Sequence, residues 1–261
     1  MNEKILLFIP AYNCEKQIVR VLKQLDDEVL KFISEVIVIN NRSTDNTEKA
    51  VKKFLKENPS KNIKLLRNKE NYGLGGSHKV AFEYAKENGF NYVMILHGDD
   101  QGNIKDMLPY IKNGEYKKYE CVLGARFMKG SKLQGYSKFR TFGNKVYNLL
   151  FSIVVKRKIY DLGSGLNIYK TKMLDNKFFM KFPDNLMFNY CMILASDYYK
   201  QDIHFVPVSW REEDQISNVK MLNQAITVLK MLFKYFFSKK KFITSEMRIS
   251  PKEKYMAEEI K

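Results

Sequence analysis

Residues 92–101 read Tyr-Val-Met-Ile-Leu-His-Gly-Asp-Asp-Gln, an apolar run that stops abruptly at a polar turn. A short aliphatic run bounded by turn residues reads as a buried strand. The same layout recurs upstream. Ile5–Ile9 runs into Pro10-Ala11-Tyr12-Asn13, Val36–Ile39 into Asn40-Asn41-Arg42-Ser43-Thr44-Asp45, and Ile63–Leu66 precedes Asn71-Tyr72-Gly73-Leu74-Gly75-Gly76. Cys121–Gly124 is a fifth run. Between the runs, apolar residues recur at helical spacing: Ile18, Val21, Leu22, Leu25, then Ala50, Val51, Phe54, Leu55. Val80-Ala81, Tyr84 and Ala85 mark a third helix and Ile104 to Ile111 a fourth, while Asp45-Asn46-Thr47-Glu48 is a capping-box pattern opening the second. Strands alternating with helices imply right-handed crossovers, and so an α/β fold with a mostly parallel sheet flanked by helices.

Past residue 125 the pattern loosens. An amphipathic helix is expected over about Tyr136–Lys158, and shorter mixed elements run on to Trp210. Over Val219–Phe237 the residues Leu222, Ala225, Ile226, Leu229, Leu232, Phe233, Phe236 and Phe237 form one helical stripe. Lys230 and Lys234 stand on its polar side, and Lys239-Lys240-Lys241 closes it. Such a C-terminal helical extension either lies in a membrane interface or packs as core. The last ~20 residues are polar, and loose packing is expected of them.

The formal net charge of +16 is concentrated in two segments. Residues 126–160 carry nine basic side chains and no acidic one, and residues 216–261 carry ten basic against four acidic. Charge so placed suits an anionic partner such as a phosphate or an acidic membrane; the competing reading is a solvated, solubilising face. A nucleic-acid partner is not expected, because no recognition motif accompanies the charge. Cys14, Cys121 and Cys191 are odd in number and far apart, which excludes a neat disulfide framework and a CxxC metal site and favours a reducing compartment. The first residues lack a signal-peptide layout, and no stretch reaches the ~18 apolar residues that span a bilayer. Any membrane contact is expected to be peripheral.

In open α/β sheets ligands bind beyond the carboxyl ends of the strands, where the four polar clusters fall. The Gly73, Gly75, Gly76 loop runs into a helix, so its amides can face phosphate, although such clusters are more often plain turns. It is neither a GxGxxG dinucleotide fingerprint nor a P-loop. His97, Asp99 and Gln101 alternate at a strand end, which in extended backbone puts all three on one side, where they can hold a divalent ion. The other reading is a polar loop in which Asp99 or Asp100 caps the next helix.

The succession FIPAYNCEKQI (8–18), VINNRSTDNTEKA (38–50), NYGLGGSHKVAFEYA (71–85) and ILHGDDQG (95–102) resembles the donor-binding half of family-2 glycosyltransferases with the GT-A fold. The continuation GARFMKGS, FRTFGNKVYNLL and DLGSGLNIYK resembles the polyprenyl-phosphate (dolichol-phosphate) mannosyltransferase branch. The resemblance divides the chain into a nucleotide-sugar-binding half (1–125), an acceptor-binding half of the same domain (126–218) and a basic amphipathic helix with a polar tail (219–261).

It also implies roles. Pro10, Ala11 and Tyr12 match the loop that packs on the nucleobase. Asn40 stands where the family has an Asp that accepts a base N–H. His97, Asp99 and Gln101 match the metal-site pattern Asp-x-Asp-x-Gln, with His97 replacing the first carboxylate; the softer ligand favours Mn²⁺ over Mg²⁺. Gly75 and Gly76, as glycine-loop amides, are expected to join the metal and Arg126 in stabilising the donor diphosphate. Arg126 and Arg140 match the arginines that hold the leaving diphosphate and the acceptor phosphate. Asp161 occupies the position of a catalytic base, with Glu213 and Asp214 as alternatives, and Arg211 and Ser217 resemble a loop that closes over the donor. Asn218 stands where the family has a Lys.

The implied activity is inverting transfer from a nucleotide-sugar, UDP- or GDP-linked, to a polyprenyl phosphate or a surface glycan, with one divalent metal, Mn²⁺ or Mg²⁺. The protein is expected in the cytoplasm, peripheral on the inner face of the cell membrane, with residues 126–160 and 219–241 on an anionic surface; a homo-oligomer is compatible with this. The alternative, motivated by His97 and Asn40, is a catalytically impaired nucleotide-sugar-binding protein.

Overall fold

The computed structural model describes residues 3–214 and 221–260. Strand β1 (Ile5–Ala11) is buried along its whole length, as a central parallel strand covered on both faces should be. After it come α1 (Glu15–Lys23), α2 (Asp27–Leu30), β2 (Glu35–Asn40), α3 (Thr47–Glu57), β3 (Ile63–Asn68), α4 (Gly73–Glu87) and β4 (Tyr92–Leu96). Then follow α5 (Leu108–Lys112), β5 (Cys121–Ala125), β6 (Leu133–Gln134), α6 (Lys138–Val155), β7 (Leu166–Lys170), α7 (Phe188–Tyr198), β8 (Ile203–Pro207) and β9 (Trp210–Arg211). The last elements are α8 (Met221–Phe237), α9 (Lys239–Thr244) and β10 (Ala257–Glu259).

The main sheet has the order β10-β3-β2-β1-β4-β7-β5-β8. β1 pairs in parallel with β2 and β4, β2 with β3, and β5 with β8. The mostly parallel α/β sheet is thus the one the alternation implies. Strand parity divides the core. Leu6 and Phe8 face one apolar layer, and Ile5, Leu7 and Ile9 face the other.

Four local expectations change. β7, inside the DLGSGLNIYK stretch, inserts antiparallel between β4 and β5. The third helix begins at Gly73 rather than near Val80, so the glycine cluster lies within its first turn. In the expected capping box, Asp45 Oδ1 accepts the Thr47 amide at 2.9 Å, whereas Glu48 turns away to accept from Asn40. The polar tail is not loose: Tyr255 is buried and β10 adds an antiparallel edge to β3.

α8 is neither wholly core nor wholly free. Val228, Met231, Leu232 and Tyr235 are buried in the same apolar layer as Phe151 and Val155 of α6.

Candidate active site

A cleft of about 300 Å³ opens beyond the carboxyl ends of β1, β3 and β4. Pro10, Ala11, Tyr12 and Cys14 line one wall, Asn71, Gly73, Leu74 and Ser77 another, and His97, Gly98 and Asp99 the floor, with Asn41 and Leu186 completing it. Tyr12 and Leu186, each half exposed, stand at its rim. Gly98 makes the assembly possible: its amide donates to the Pro10 carbonyl at 3.0 Å, and a Cβ there would meet that oxygen at 2.8 Å. Only glycine lets the two loops lie so close.

The backbone after β4 does not stay extended, because Asp100 takes a left-handed φ of 60°. His97 and Asp99 still reach the cleft, while the amide nitrogen of Gln101 donates to the Arg211 carbonyl at 3.3 Å. The expected one-sided row of three is therefore a pair with Gln101 turned towards β9. The His97 amide donates to the Gly165 carbonyl at 2.9 Å. Its ring lies against Gly165 and edge-on to His78, and its buried Nε2 has no hydrogen-bond partner. Burial pushes the His97 imidazole down to about 4, with Arg126 adding to the effect, and pushes the Asp99 carboxyl up to about 6. Both shifts are those of groups stripped of water, and an orphaned imidazole nitrogen and a carboxylate lining one cleft suit a divalent cation. Among the described residues no three His, Cys, Asp or Glu side chains converge on such an ion, so donor oxygens would have to complete the shell.

Asp100, which the cleft does not use, is fully buried and binds Arg20 (2.6 Å), Gln24 (3.0 Å) and Arg211. It locks the turn that presents Asp99. Helix capping falls instead to Asn103, whose side chain accepts the Lys105 amide. Arg211 is thereby tied to the turn behind Asp99 and does not itself line the cleft: its Nε donates to the Asp100 carbonyl at 2.8 Å.

Gly75 and Gly76 serve a different purpose from phosphate binding. Their amides donate to the Asp184 carbonyl at 2.7 and 3.3 Å, and a Cβ on Gly75 would strike the Pro183 carbonyl. The missing side chains of Gly73 and Gly75 admit the 183–184 backbone, and that of Gly76 leaves room for Tyr72. Asn40 likewise turns inward, accepting the Ser43 amide at 2.9 Å and donating to Glu48 at 2.9 Å. Asn41 lines the cleft in its place, donating to Asn71 and accepting from Asn68 and from the Tyr72 amide, each at 2.8 Å.

Arg126 and Asp161 form one buried unit, with Nε to Oδ2 at 2.7 Å and Nη2 to Oδ1 at 2.8 Å. The guanidinium also stacks on Phe127 and Trp210, each 5.0 Å from the ring centre. Arg140, in the first turn of α6, grips Glu212 at 2.6 and 2.7 Å and lies over Tyr136. Asp214 is paired with Arg20 at 2.9 Å, which holds its carboxyl below the usual range. Glu213 follows Glu212 beyond β9 and does not line the cleft; Ser217 and Asn218 lie outside the described residues.

A model of the family described as Glycosyl transferase family 2 matches residues 7–178. An uncharacterized protein of Methanocaldococcus jannaschii is 28% identical over 237 residues, 88% of this chain and 99% of its own. A dolichyl-phosphate beta-glucosyltransferase of Dictyostelium discoideum is 31% identical over 115 residues, 40% of this chain and only 33% of that protein. Among solved structures, S. aureus TarS in complex with UDP-GlcNAc has a TM-score of 0.57 at 21% identity, covering 88% of this chain and 65% of its own. Glucosyl-3-phosphoglycerate synthase of Mycobacterium tuberculosis, in complex with Mn²⁺, UDP and glucosyl-3-phosphoglycerate, has a TM-score of 0.59 at 13% identity, covering 91% and 80%. At these identities the structural likeness is one of fold, the GT-A fold. With the family model spanning most of its length, the chain belongs to glycosyl transferase family 2.

Proposed function

We propose that the cleft binds a nucleoside-diphosphate sugar and that the protein transfers the sugar, with inversion, to a phosphate on a lipid carrier. The cleft itself carries the reading: an aromatic rim at Tyr12, amide side chains at Asn41 and Asn71, and an anionic floor at Asp99 suit in turn a base, a ribose and a diphosphate accompanied by a cation. His97 and Asp99 would hold a divalent metal, which when bound supplies positive charge to the departing diphosphate. Arg126 lies close enough to act electrostatically on both.

The acceptor follows from proton accounting. Asp161 is committed to Arg126 and Asp214 to Arg20. A phosphate oxygen, already anionic, needs no base: it forms the new bond to the anomeric carbon as the bond to the leaving diphosphate oxygen breaks, and no proton moves. Arg140, partly exposed on α6, would orient that phosphate.

Thermal shifts with UDP-, GDP-, CDP- and dTDP-sugars and Mn²⁺ test the donor, followed by transfer to polyprenyl phosphate. One sugar nucleotide should stabilise the protein and Asp99→Ala should remove that effect. Stabilisation by none, or full stabilisation in Asp99→Ala, would overturn the assignment.

A further inference from the structure

We infer that α6 and α8 form one docking platform that seats in the surface of an anionic lipid leaflet. This deepens the reading of a lipid-phosphate acceptor, and attachment can be measured apart from transfer. On α6, Phe139, Phe142, Val146, Leu149 and Ile153 recur at steps of three and four and are all exposed, Phe139 by 72% and Phe142 by 68%. That spacing puts them on one face. On α8, Leu229, Phe233, Phe236 and Phe237 are exposed in the same way. The two helices touch, and both bury their opposite faces in the same apolar layer, so the stripes belong to one side of the molecule. A patch with this many exposed aromatic rings exceeds the scattered apolar residues of an ordinary surface.

Charge selects the occupant. Lys138 and Lys145 flank the α6 stripe at helical periodicity, and Lys230 and Lys234 flank that of α8. Residues 126–160 contain no acidic side chain to answer them. A second copy laid on this face by a two-fold axis would set lysine against lysine. An anionic leaflet satisfies both features, taking the phenyl rings at the acyl boundary while the lysine stems reach back to headgroup phosphates. No helix of the described residues is long and apolar enough to cross a membrane, so the contact is interfacial. Arg140 sits one residue from Phe139. Its guanidinium would then lie at the depth of a lipid phosphate.

Flotation of the full chain with vesicles of phosphatidylcholine alone, or mixed with phosphatidylglycerol, tests the platform. The wild type should float with the anionic vesicles, and a fraction should resist high salt because of the apolar contact. Phe142→Glu with Phe233→Glu, both at exposed positions, should lower partitioning by about tenfold or more while the nucleotide-sugar thermal shift is unchanged. The fluorescence that Phe142→Trp adds to the wild-type signal should be quenched by lipids brominated in the acyl chain. Wild-type flotation of the double variant would overturn the inference. So would an unquenched added signal from vesicle-bound Phe142→Trp, or a concentration-dependent dimer without vesicle binding that the double variant dissolves.

Discussion

Arg126 holds Asp161 through three hydrogen bonds, two from the guanidinium at 2.7 and 2.8 Å and one from its own amide at 2.8 Å. With Asp161 buried and the Arg126 side chain only 11% exposed, Asp161→Asn leaves a largely desolvated guanidinium without its counter-charge. Stability in urea should fall by about 3–5 kcal/mol. Loss of turnover with an unchanged unfolding midpoint would instead identify Asp161 as a proton acceptor working at the cleft.

Gly165 supports the His97 ring from behind, and a Cβ there would enter the imidazole. Gly165→Ala should displace His97 and weaken Mn²⁺-dependent nucleotide-sugar binding by about tenfold, the usual cost of disturbing a ligand's support. His97→Asp should raise Mg²⁺ support relative to Mn²⁺ by supplying a hard oxygen. Titration calorimetry with each metal reads both effects, and unchanged affinities would remove His97 from the metal site.

Glu212 holds Nη1 of Arg140 with both carboxylate oxygens and so neutralises a guanidinium that a phosphate acceptor would need. Glu212→Gln should free Arg140 and lower the KM for polyprenyl phosphate by roughly threefold to tenfold, with donor KM unchanged. A glycan hydroxyl acceptor would be indifferent to the change, so steady-state kinetics with both acceptors decides.

Burial pushes the thiols of Cys14, Cys121 and Cys191 up to about 12 from an ordinary value of 9.0. The unfolded chain loses these protons first, so the stabilisation is complete below pH 9 and is lost as the pH climbs towards 12. Lys79, pushed down to about 8 by burial, works in the opposite direction. The comparison is therefore with Cys121→Ala, whose urea midpoint should fall less above pH 9. Native protein should also resist thiol reagents that label all three cysteines after denaturation.

What could be read beforehand was local. Apolar runs ending in polar clusters gave the strands and put Tyr12, Gly73, His97 and Asp99 at one end of the sheet, because backbone direction alone decides that. Partners distant in sequence were not legible. Gly75 and Gly76 look like a phosphate loop until the 183–184 backbone is seen against them. Asn40 and Asn41 are chemically alike, and side-chain direction at the end of β2 turns one towards Glu48 and the other towards the cleft. Helical periodicity in α8 could not say how the stripe divides between core and surface, since both burden the same face with apolar residues. The polar composition of the tail does not show its packing, because three residues of edge pairing outweigh it.

That edge pairing has a temporal side. Glu258 meets Arg67 across 191 positions, so β3 stays an open edge until β10 has been synthesised. At typical elongation rates of 5–20 residues per second the nascent sheet is left unguarded for roughly 10–40 s, with a row of unpaired amides and carbonyls able to recruit another chain. Ribosome-arrested chains stopped before residue 257 should therefore be captured by holdase chaperones and cut readily by protease, and full-length released chains should not. A strand made this late guards an edge made early.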